Sequence, residues 1–147
     1  MSPKACILAL GFLALSAPAL AQDYQHGSLT ISQPWSRPTP PGTPVGVGYM
    51  AISNQGQVPV TLVAGQTPAA ARVSIHETTM QDGVMKMRPL KEGLTVPAGE
   101  TVTLKPHSYH LMLEQLEQRL KEGDEVPLSL TFDGMDPIEV KLQVQQR

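Results

Sequence analysis

From residue 45 onward, apolar and polar positions alternate in short runs, the period of a strand that turns one face to a core. The runs are Gly48 to Ser53, Val58 to Ala64, Arg72 to Thr79, Val84 to Leu90, Thr101 to Leu104, Tyr109 to Leu113, Val126 to Phe132 and Ile138 to Val144. Turn-forming residues separate many of them, at Asn54-Gln55-Gly56, Asp82-Gly83, Pro97-Ala98-Gly99, Glu122-Gly123 and Asp133-Gly134. Eight short, closely spaced strands predict an all-β antiparallel sandwich or barrel. Ahead of them, Leu29 and Ile31 form a brief alternation before Trp35, and Pro38, Pro40, Pro41 and Pro44 then forbid both helix and central strand. One segment departs from the strand period. Leu113, Leu116 and Leu120, with charges between them and Gly123 behind, have the spacing of a short helical turn.

The amino terminus follows another pattern. Lys4 precedes an apolar run from Ala5 to Leu15 that is too short to span a bilayer, and Ala19-Leu20-Ala21 offers small residues where a signal peptidase reads. Residues 1–21 are expected to be a cleaved secretory signal peptide, leaving residues 22–147 as one β-sandwich domain. No lipoprotein cleavage box precedes Cys6, so no lipid anchor is expected.

Composition then removes whole classes of function. The chain has 11 basic and 13 acidic residues, net −2, and loss of Lys4 with the signal takes it to −3. Without a basic run there is no electrostatic footprint for nucleic acid or for an anionic membrane surface, and no membrane insertion is expected. Cys6 is the one cysteine and leaves with the signal. Disulfides, zinc-thiolate sites, a cysteine nucleophile and thiolate-ligated blue copper are thereby excluded from the mature chain.

The remaining chemistry lies in histidine and methionine. His76, His107 and His110 fall within the same stretch as Met80, Met85, Met87 and Met112. Asp82-Gly83 predicts a two-residue type I′ hairpin turn, which pairs Met80 with Met85, Thr78 with Met87 and His76 with Pro89. His76, Thr78, Met80, Met85 and Met87 then share a face, with His76 diagonal to Met87. In the run from Tyr109 to Leu113, the apolar alternation uses Tyr109, Leu111 and Leu113, so His110 and Met112 point the other way, outward. Two faces carrying histidine and thioether together suggest a His2Met2 metal site. Thioether sulfur is soft and uncharged, poorly suited to zinc, calcium or magnesium and well suited to Cu(I). The plainer reading, methionines as gap-fillers in a core, stands beside it. His26 reads as a solvated loop residue, His107 as a turn residue, and Met50, Trp35 and Tyr49 as core; Met135 lies beside a turn. Glu77 and Asp82 are too open to water to form a perturbed acid pair.

These residues resemble the periplasmic PCu(A)C-type copper chaperones of bacteria. That family's pattern is a histidine, about ten residues, a methionine, just over twenty residues, then His-x-Met, and here ten residues separate His76 from Met87 and twenty-two separate Met87 from His110-Leu111-Met112. Gln33-Pro34-Trp35-Ser36-Arg37, Pro40-Pro41-Gly42, Gly48-Tyr49-Met50, the run from Gly83 to Pro89, Lys121-Glu122-Gly123-Asp124 and Val126-Pro127-Leu128 resemble it as well. The resemblance implies a cupredoxin-like Greek-key β-sandwich in the periplasm. It also implies Cu(I) held by His76, Met87, His110 and Met112, and delivery to a copper-accepting protein, a cytochrome oxidase subunit or another assembly factor. Two departures stand out: Glu77 and Thr78 replace a methionine that many relatives carry behind the first histidine, and the chain ends Gln143-Val144-Gln145-Gln146-Arg147, without a His- and Met-rich tail. A single principal copper site is therefore expected.

Two other classes of function remain open on the sequence. A secreted copper oxidase would need an open coordination position and a substrate pocket, which four protein ligands and few aromatics disfavour. A metal-free secreted interaction module would use the methionines as a contact patch.

Overall fold

The computed structural model describes residues 22–147; the expected signal peptide, residues 1–21, lies outside the described residues. The described residues form eleven strands: β1 (Asp23–His26), β2 (Leu29–Ser36), β3 (Val45–Asn54), β4 (Val60–Gln66), β5 (Ala70–Gln81), β6 (Val84–Pro89), β7 (Leu94–Val96), β8 (Thr101–Leu104), β9 (Tyr109–Leu116), β10 (Glu125–Phe132) and β11 (Ile138–Val144). The expected eight strands are all there. β1, β2 and β7 are added, and His26 ends a strand instead of sitting in a loop.

The strands run β2-β11-β10-β4-β5-β9-β3, and a β2–β3 pairing joins the two ends, so the sheet closes on itself. Every pairing is antiparallel except β11 with β2. Strand neighbours are often distant in sequence, as with β5 and β9. The enclosed core holds Leu29, Ile31, Ile52, Leu62, Leu104, Leu111, Leu113, Phe132 and Leu142, all fully buried. β10 and β11 show the clean inside–outside alternation that one-sided burial imposes.

Local irregularities modify the period in several strands, among them a register shift between Thr131 and Phe132 of β10. In β2 the register shifts between Ser32 and Trp35, where Gln33 has φ 48° and Pro34 can donate nothing to the ladder. Beyond that bulge Trp35 faces Tyr49, with ring centroids 4.7 Å apart, and the guanidinium of Arg147 caps the indole at 4.5 Å. In β9, Gln115 has φ 56°. This left-handed residue accounts for the helix-like spacing, and the expected helical turn is instead the end of a strand. Leu113 and Leu116 would face opposite ways on a regular strand, but the left-handed residue between them returns Leu116 to the core side. Leu113, Leu116 and the buried Leu120 all converge on Gly46, where a Cβ would lie 3.1 Å from Leu120 Cδ1 and 3.5 and 3.6 Å from the Cδ1 atoms of Leu116 and Leu113. The helix-like spacing is the footprint of a bulged strand.

Candidate metal centre

β5 is long enough to serve two neighbours. Its first part pairs with β9, placing His76 directly opposite His110 and Ser74 opposite Met112. Its last part runs past the start of β9 as one arm of a hairpin with β6, with Thr78 opposite Met87, Met80 opposite Met85 and His76 opposite Pro89. Asp82 (φ 51°) and Gly83 (φ 75°) supply the two positive φ values of the predicted turn. His76 therefore stands where the sheet ends and the hairpin begins.

The two imidazoles lie on the sheet face opposite Ile75, Leu111 and Leu113, which enter the core. Their rings are stacked, with centroids 5.7 Å apart and planes 23° apart. His110 is on the expected face but is not open to solvent as expected: packed against His76, it is only 5% exposed. Met112 is half-buried two residues along β9, diagonal to His76, while Met87 is 55% exposed on the hairpin, diagonal to His76 on the other side. The fold thus sets two histidines at the centre with one methionine on each flank. His107, in a turn with φ 66°, and His26, exposed on β1, stand elsewhere.

Hydrogen bonds assign the imidazole tautomers. Nδ1 of His110 lies 3.1 Å from the carbonyl oxygen of Ser108, which can only accept, so Nδ1 carries the proton and Nε2 keeps a free lone pair. For His76 the chain of partners is longer. Arg72 donates Nε–H and Nη2–H to the two carboxylate oxygens of Glu114 at 2.7 and 2.9 Å, and Ser74 Oγ donates to Glu114 Oε2 at 3.0 Å. These bonds hold the Glu114 carboxyl down at about 2, so it is an acceptor at neutral pH. Having given its proton to Glu114, Ser74 Oγ accepts from His76 Nε2 at 2.9 Å. Nδ1 of His76 is then the unprotonated nitrogen, buried and without a partner. A buried lone pair left unpaired costs free energy unless a ligand fills it, and a metal ion does so. The His76 pKa is lowered by burial, then by His110 and Arg72, with Glu114 opposing, which keeps the ring neutral and ligand-competent.

Among the described residues no three His, Cys, Asp or Glu side chains come together. Two imidazoles with a thioether on either side make a donor set that would fit a soft ion. The sequence pointed to His76, Met87, His110 and Met112, which the fold brings to one face, and did not point to Arg72, Ser74 and Glu114 beside them. Their alternation on β5 and β9 put them on the same face as the histidines; only the long-range register joins them.

The LpqE-like family profile matches residues 29–144. A Leifsonia xyli subsp. xyli (strain CTCB07) protein, Lxx21020, whose name makes it a candidate lipoprotein, is 30% identical over 133 residues, 88% of this chain and 79% of its own. The apo PCuAC domain from PmoF1 superposes with a TM-score of 0.72 over 86% of this chain and 100% of that domain, at 21% identity. It shares the cupredoxin-like fold expected from the sequence. The Cu(I) form of DR1885 from Deinococcus radiodurans is 30% identical, with a TM-score of 0.59 over 76% of this chain and 74% of its own.

Proposed function

The chain belongs to the LpqE-like family, of the PCu(A)C type, and from that premise we propose that it is an exported copper chaperone that holds Cu(I) between His76, Met87, His110 and Met112. The carrying observation is the opposed pair His76 and His110, each with one ring nitrogen tied into the protein and the other free. Support for the ion comes from the Cu(I) form of DR1885, a relative in sequence as well as fold. Export to the periplasm, with residues 1–21 removed as a signal, accords with the lipoprotein name of the Leifsonia relative.

The donor set suits a carrier. Two neutral thioethers and two neutral imidazoles bind Cu(I) without the charge of a thiolate, so release needs no thiolate to be reprotonated. Met87, exposed on the hairpin, is the ligand an incoming partner reaches first; His110, buried, is the last to let go. Transfer is ligand exchange: a partner's donor bonds the ion as a thioether leaves, with no redox step and no substrate turned over. The receiver in this reading is a copper-accepting protein such as a cytochrome oxidase subunit or another assembly factor.

Anaerobic titration of residues 22–147 with Cu(I) against a chromophoric competitor tests this. One tight equivalent, weakened by Met87→Ala and by His110→Ala, is the expected result. No binding above background would leave the metal-free interaction module as the better reading.

A further inference from the structure

The β5–β6 hairpin beyond His76 carries an arrangement that the four-ligand site leaves unexplained. Of six exposed large hydrophobic side chains among the described residues, four are on this hairpin: Met80 at 65%, Val84 at 57%, Met85 at 51% and Met87 at 55%. Every residue of β6 is exposed, so no core sorts its side chains. They are sorted all the same. One face bears Thr78, Met80, Met85 and Met87; the other bears Glu77, Lys86 and Arg88, with Arg88 paired to Glu77 at 2.6 Å. The charged face is solvated in the ordinary way. The thioether face exposes three methionines to water and continues directly into the face of His76 and His110.

Met80 and Met85 are direct cross-strand partners one step from the two-residue turn. That makes them a non-hydrogen-bonded pair, the closer of the two kinds, with Cβ atoms about 4.5–5.5 Å apart. Two flexible thioethers at that separation can close on one soft ion from opposite sides. No carboxylate or amine shares their face, so the pair is selective for an ion that prefers neutral sulfur.

We infer that Met80 and Met85 form a second, weaker Cu(I) site at the hairpin tip, a capture site from which the ion passes by way of Met87 to His76 and His110. This rests on the Cu(I) reading of the principal site. Each step makes one copper–sulfur bond as another ligand leaves, with no change of oxidation state. A solvent-exposed pair can take the ion from a bulky donor that cannot reach the buried His110.

The test uses Ag(I), a redox-silent soft ion, on residues 22–147 with labelled methionine methyl groups followed by NMR. The first equivalent should shift Met87 and Met112, and further Ag(I) should move Met80 and Met85 together. Met80→Leu/Met85→Leu should abolish that later event. The same variant should slow loading from a Cu(I)–chelator complex about tenfold, since capture beside the site raises the local ion concentration. Methyl groups of Met80 and Met85 that stay still through excess Ag(I), or loading rates unchanged in the variant, would overturn the inference. Shifts at Met80 and Met85 without any at Met87 and Met112 would show soft-ion binding at the hairpin tip but refute the principal site and, with it, the passage of the ion.

Discussion

Ser74 and His76, neighbours on one face of β5, are joined by a 2.9 Å hydrogen bond that fixes which imidazole nitrogen can bind a metal. Because Glu114 takes the Ser74 proton, the serine oxygen must accept from Nε2, and Nδ1 is left free. Outer partners of this kind typically change metal affinity by 10- to 100-fold, so Ser74→Ala is expected to weaken Cu(I) binding by roughly tenfold or more. Glu114→Gln should cost less, since its amide oxygen still accepts the serine proton. Competition titration of the two variants ranks them; equal affinities in wild type and Ser74→Ala would mean that the relay orients nothing.

Acid should release the metal, and later than an ordinary imidazole would suggest. Protons compete with Cu(I) for His76, whose pKa lies below the usual value of about 6.5 through burial and the nearby His110 and Arg72. The same shift acts on the metal-free fold. As pH falls below about 6.5 the unfolded chain takes up the His76 proton first, so stability declines until the folded-state pKa is passed. Glu114, at about 2, adds stability that is present above 4.5 and is lost as pH falls toward 2. Both effects have one sign. Denaturant midpoints measured from pH 7.5 down to pH 3 should fall steadily, and a midpoint rising in acid would contradict both shifts.

Binding and folding should separate at Met87. Its side chain is 55% exposed on the hairpin, so Met87→Leu should alter unfolding free energy by no more than about 0.5 kcal/mol. Loss of this proposed ligand should still weaken Cu(I) binding on the order of tenfold or more, or about 1.4 kcal/mol. Thermal unfolding and copper competition on one sample check the pair of outcomes.

Leu113 behaves oppositely. It is fully buried on the core side of β9, next to the half-buried Met112 that faces the other way, and packs over Gly46. Leu113→Ala should cost about 2–5 kcal/mol of stability, read by chemical denaturation. A cost below about 1 kcal/mol would contradict a tightly packed strand there.

Local chemistry explains what was legible in the sequence. Asp82-Gly83 admits essentially one hairpin geometry, so the pairs Met80–Met85, Thr78–Met87 and His76–Pro89 follow from the turn alone and are all present. Alternation likewise put His110 and Met112 on the face away from the core. The β5–β9 register has no such local determinant. It is set by core packing between segments more than thirty residues apart, and with it come the stacking of His76 on His110, the burial of His110 and the Arg72–Glu114–Ser74 chain. Single-residue bulges were equally hidden: Gln115 gives a strand the apolar spacing of a helix, and Gln33 with Pro34 reorients Trp35.

X-ray absorption at the copper edge of the Cu(I)-loaded chain tests the central claim most directly, because it reads the donor atoms themselves. Two nitrogen and two sulfur neighbours are expected, with the sulfur contribution halved in Met87→Leu and in Met112→Leu. A shell of nitrogen and oxygen alone, or a sulfur contribution indifferent to both substitutions, would contradict a His2Met2 centre.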